Sequence, residues 1–236
     1  MRDVLLDALV DDVGTIGRAL AAHADAPVPS CPGWTVADLV RHHGDVHRWA
    51  AEIVRTGEVV ADDGHRGPDD VDELAAWYAN GAADLVGVLR RTDPQRDCWT
   101  FGRPPAKTWF WTRRQALEAA IHRWDAQQAG GDADEFPSEV AAAGITEVVD
   151  DLYPRQVALG RCAPLSYPVE LVATDLDRTW TLGDDTSGRS VDARVAGPAG
   201  ALFLLLWRRT DLGDPALSTS LPPDLAHALG IAALAP

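Results

Sequence analysis

The chain has 236 residues, 46% of them hydrophobic and 24% charged, with a formal net charge of −15 at pH 7. That balance belongs to a globular protein long enough to bury a real core. A single lysine, Lys107, and scattered arginines offer no cationic patch for nucleic acid or an anionic membrane, and no apolar run nears the ~20 residues of a membrane span.

A small-molecule ligand is therefore expected. Asp7 and Asp11 interrupt the apolar residues of the N-terminal "MRDVLLDALVDDVG", so it does not read as a secretory signal, and a cytoplasmic location is expected. Cys31, Cys98 and Cys162 lie far apart with no CxxC or CxC pattern, and read as reduced, mostly buried thiols rather than a zinc knuckle or redox pair.

In chain order, residues 3–24 carry Leu5, Leu9, Val13, Ile16 and Leu20 at helical spacing, with Asp3, Asp7 and Asp11 off that stripe. The prolines of "DAPVPSCPGW" end this helix. A second helix starts at Thr35 and runs to about Thr56, with Thr35 and Asp38 spaced as a capping box. A third spans roughly 69–93. A fourth is "FWTRRQALEAAIHRWDAQQAG", closed by Gly130 and Gly131. A shorter fifth runs from Pro137 to about Tyr153.

After Pro154 the pattern changes to apolar–polar alternation with turn signals at Gly183-Asp184 and Ser187-Gly188. Three strands are expected at about 167–174, 178–182 and 190–196. Two helices follow, in "PAGALFLLLWRR" and "LPPDLAHALGIAAL". The fold expected is mainly α with a small α+β domain: a metal-competent helical bundle over 1–157 and an α+β domain over 158–236.

The second helix holds three histidines, His42, His43 and His47. On the fourth, Glu118 and His122 stand four residues apart, so their side chains share a face and can reach one divalent ion. With 36 acids and seven histidines, about one acid-x-x-x-His pair arises by chance; the other pair present is Asp38 and His42, where Asp38 has the competing role of capping. Asp125, one turn past His122, is either a partner for a ligand imidazole or a solvated acid. Trp34, Trp49, Trp109, Trp111 and Trp124 read as core, with Trp109 or Trp111 as candidate pocket walls. His23, His65 and His227 read as solvated.

Taken together, "CPGWTVADLVRHHGDVHRW" (31–49), "RRQALEAAIHRWDAQ" (113–127) and "VAGPAGALFLLLWRR" (195–209) resemble the mycothiol-dependent maleylpyruvate isomerase family, whose fold is a DinB-like bundle followed by a sterol-carrier-like domain. The resemblance implies a divalent metal, usually zinc, held by His42, Glu118 and His122, with His43 as the alternative if the helix register shifts by one. It also implies Arg208 as a catalytic arginine able to bind a carboxylate bidentately, and mycothiol as the low-molecular-weight thiol cosubstrate of a small electrophile. Isomerase and S-transferase chemistry both remain open. So do a metal-dependent hydrolase and a non-enzymatic binder, and the donor set admits nickel, cobalt or ferrous iron beside zinc.

Overall fold

The computed structural model describes every residue except 62, 63, 65, 66, 132, 185–192, 233 and 236. His65, the Ser187-Gly188 turn and the first part of the expected third strand lie outside the described residues. The chain divides into two compact units, one of residues 1–100 and 104–134, the other of residues 101–103 and 135–236.

The first unit is built from α1 (Arg2–His23), α2 (Val36–Thr56), α3 (Val71–Arg91) and α4 (Trp109–Ala129). Helix α1 packs on α4 and α3, and α2 packs on α3 and α4. Two of these helices start at side-chain caps. Thr35 and Asp38 form the expected capping box, which satisfies orphan N–H groups at the start of α2, and Asp70 caps α3 through its own carboxylate. Ile16, Leu20, Val36, Leu39, Val40, Leu74 and Tyr78 share one buried cluster. Gly44 lets α2 meet α3 closely, since a Cβ there would sit 2.2 Å from the Trp77 ring.

Helix α4 differs from its neighbours. Buried residues occur around its whole circumference, and they include Arg113, Arg114, Gln115, His122, Arg123 and Asp125. Buried charge is costly unless paired, so these side chains must find partners in the interior. Arg123, for one, pairs with Asp12 at 3.0 Å; burial raises the Asp12 carboxyl to about 6, with Arg123 pulling the other way.

The second unit opens with α5 (Ser138–Glu147), which passes through a π-helical turn at Val148–Leu152 into α6 (Tyr153–Ala158). Pro154 would normally break such a helix, because it has no N–H and its ring crowds the carbonyl of residue 150. Widening the turn accommodates it, and Arg103 donates to the Asp150 carbonyl at 3.3 Å. The helix therefore outlasts the proline, and residues 135–157, expected with the bundle, group with the C-terminal elements instead.

The sheet has the order β2-β1-β3-β4, from β1 (Val169–Ala173), β2 (Arg178–Leu182), β3 (Arg194–Gly197) and β4 (Ser218–Ser220). Strands β1 and β3 are parallel, and the other two pairings are antiparallel. Val169, Leu171 and Ala173 alternate inward on β1, where α7 (Ala199–Leu206) covers them. Helix α7 also packs on α5, with Gly144 against the Phe203 ring. The chain ends in α8 (Pro223–Ile231). Among the described residues no helix is long and apolar enough to cross a membrane.

Candidate metal centre

The capping box fixes where α2 begins and so which way His42 faces. Asp38 accepts from the Thr35 backbone N–H at 3.0 Å and from its hydroxyl at 2.7 Å, and from Arg41 at 3.1 Å. The Thr35 hydrogen bonds hold its carboxyl below the usual range. Its oxygens are committed to that work, and the Asp38–His42 spacing reports a cap.

His42 instead meets α4. Its Nε2 lies 4.0 Å from Oε1 of Glu118, and the same oxygen is 3.2 Å from Nε2 of His122. The His42 and His122 rings stand edge to face, 5.5 Å apart. One ligand atom from each of the three residues lies within 4.8 Å of the others. Exposure is graded: 41% of the His42 side chain is accessible, against 14% for Glu118 and 8% for His122. The cluster thus opens to solvent on the His42 side. Trp34, half-buried just ahead of the cap, stacks obliquely on the His42 ring at 5.0 Å.

Behind the cluster, His122 is held by Asp125. Its Nδ1 donates to Asp125 Oδ2 at 3.1 Å, and Asp125, fully buried, also accepts from the Ser30 hydroxyl at 2.6 Å and the Cys31 thiol at 3.9 Å. A carboxylate only accepts, so the proton of a neutral His122 sits on Nδ1 and its Nε2 carries the lone pair. That lone pair faces another acceptor, Oε1 of Glu118. Two acceptors at 3.2 Å repel unless a proton or a cation lies between them. Two imidazole nitrogens and a carboxylate oxygen, one imidazole fixed by a second carboxylate, are a donor set suited to zinc or a related dication. The residues fit the ion.

His43 and His47 belong to a different environment. Both are fully buried. Their rings are 4.1 Å apart, His43 Nδ1 shares a hydrogen bond with Tyr78 at 2.9 Å, and His47 stacks on Tyr78. Burial, followed by the nearby His47, His122 and His42, holds His43 well below the ordinary imidazole range. Burial and then Arg48 push His47 down to about 3. Burial also raises the Tyr78 phenol well above its usual value.

Arg208 lies in the second unit, one residue past the C-cap of α7. It is exposed, adopts a left-handed backbone with φ 58°, and donates to the Ile231 carbonyl at 3.3 Å. Its N–H bonds Leu205 and that of Arg209 bonds Leu204, the pattern in which glycine is usual.

Three outcomes differ from the sequence reading. Trp111 is fully buried, packed on Trp49 and Phe110 with its indole N–H on the Trp99 carbonyl at 2.8 Å, so it is core and not a pocket wall. Trp34, read as core, stands at the cluster. Arg114, one turn before Glu118 and read only as a scattered arginine, is buried and ion-paired with Oε2 of Glu118. The spacing of residues 114, 118 and 122 carried that last signal, because it puts all three on one helical stripe.

Known proteins bear on this architecture. The family model described as the mycothiol maleylpyruvate isomerase N-terminal domain matches residues 6–127, and that of the MDMPI C-terminal domain matches residues 139–228. Two solved structures share the fold, a crystal structure of the mycothiol-dependent maleylpyruvate isomerase and one of its histidine-to-alanine variant. Each is 14% identical over 93% of both chains, with TM-scores of 0.66 and 0.67. No curated protein matches the chain in sequence.

Proposed function

The chain belongs to the mycothiol maleylpyruvate isomerase family, and from that premise we propose that it is a metal- and mycothiol-dependent enzyme acting on a small electrophilic substrate, by isomerisation or by S-transfer. The observation that carries this reading is the convergence of His42, Glu118 and His122 at the solvent-facing side of α2 and α4.

The chemical need is for a thiolate. A free thiol with a pKa of about 8.5 is only a few per cent ionised at pH 7. A divalent ion held by these three residues would supply the Lewis acidity that deprotonates a coordinated thiol. The chain's own residues prepare that place. Asp125 keeps the His122 proton on Nδ1, leaving Nε2 free. Glu118 contributes one anionic oxygen. The exposed edge of His42 leaves an approach from solvent, with the Trp34 indole as one wall.

Mycothiol thiolate adds to an activated alkene carbon, and the carbon–carbon bond becomes single and rotates. Expulsion of the same thiolate restores the double bond in its other geometry, which is isomerisation; retention of the adduct after protonation is S-transfer. Arg208 is the residue we assign to a carboxylate of the substrate or thiol, since a guanidinium binds carboxylates in two parallel hydrogen bonds.

The test is turnover of maleylpyruvate and related electrophiles with and without mycothiol, and with and without a chelator. Activity is expected to need both thiol and metal, and Arg208→Ala is expected to raise KM for carboxylate-bearing substrates. Chelator-sensitive turnover that ignores the thiol would overturn the thiol assignment in favour of hydrolysis.

A further inference from the structure

Glu118 presents two oxygens to two different partners. Oε1 faces the imidazoles, 3.2 Å from His122 Nε2 and 4.0 Å from His42 Nε2. Oε2 is taken by the guanidinium of Arg114, one helical turn earlier, whose side chain is only 4% exposed. A buried guanidinium is expensive to desolvate and needs a matched anion, and a fixed cation beside a dication site is electrostatically adverse. Its placement there calls for a reason beyond stability.

Resting on the metal reading above, we infer that Arg114 is a positioning residue that holds Glu118 to one-oxygen coordination. A carboxylate can chelate a divalent ion through one oxygen or both. With Oε2 engaged by a planar, permanently charged fork, only Oε1 is free to turn to the ion. Three protein donors then occupy three positions, and the remaining positions stay open to thiol or substrate, as a catalytic site requires. Glycine, alanine or an uncharged side chain at residue 114 would release Oε2 and let the carboxylate close one of those positions.

Cobalt(II) reports this directly, because its visible absorption weakens as coordination rises above four. The protein is loaded with cobalt, occupancy is measured by elemental analysis, and spectra are compared for wild type, Arg114→Met and Arg114→Lys. Wild type and Arg114→Lys, which retains a cation for Oε2, are expected to show strong visible bands, and Arg114→Met a loss of intensity at equal occupancy. An unchanged Arg114→Met spectrum overturns the inference. If Arg114→Met does not fold, X-ray absorption of the zinc-loaded wild type decides, with one carboxylate oxygen expected at the ion and two contradicting the role. A wild type that binds neither ion defeats the metal reading itself, and the inference with it.

Discussion

His42 and His43 are consecutive residues on α2 with opposite surroundings. The first has 41% of its side chain in solvent and its Nε2 near a carboxylate. The second is fully buried, bonded through Nδ1 to Tyr78, with a hydrogen-bond partner for Nε2 lacking among the described residues, and His47 beside it likewise has neither ring nitrogen bonded. Histidine density therefore does not make the candidate metal centre. Acidic partners and an open side do: Glu118 and Asp125 supply the first from α4, and the exposed His42 edge supplies the second.

This contrast can be broken at either end. The largest effect belongs to the three donors: His42→Ala, Glu118→Ala and His122→Ala should each weaken zinc binding by more than the ~10–100-fold typical of losing an outer partner, as read by competition with a chromogenic chelator. Asp125→Asn keeps the shape but not the charge that fixes the His122 tautomer, so it should fall within that ~10–100-fold range. Gly44→Ala drives a Cβ to within 2.2 Å of Trp77, and overpacking of this kind should cost ~2 kcal/mol in urea unfolding.

The smallest effect probes the buried histidines in metal-free protein. His47 titrates near 3 when folded and near 6.5 when unfolded. Above pH 6.5 neither state holds the proton; between about 3 and 6.5 the unfolded chain holds it, so stability falls as the pH falls. His47→Leu removes this contribution. Between pH 6.5 and 5.0 it should lose about 1.5 kcal/mol less stability than wild type, with its zinc affinity unchanged. The opposite contribution of Asp12, raised to about 6, is common to both proteins and cancels.

Much of the site was legible because α-helical spacing is a strong constraint. Glu118 and His122 had to share a face once α4 was recognised, and the Thr35–Asp38 cap explained why Asp38 was not a ligand. What joined α2 to α4, however, was the family resemblance, since no local pattern says which helices touch. The burial of His47 was hidden for the same reason: Tyr78, which encloses it, lies on another helix. Strand β4 escaped notice because Ser218, Thr219 and Ser220 are all exposed, so an edge strand here has no alternation to display. Pro154 read as the end of a helix because sequence alone cannot foresee the π-turn that carries the chain past it.

Zinc-edge anomalous diffraction from crystals of the native protein grown with zinc tests the central claim most directly. The account predicts one strong peak bounded by His42 Nε2, Glu118 Oε1 and His122 Nε2. No peak there, or one seated instead between His43 and His47, would contradict it.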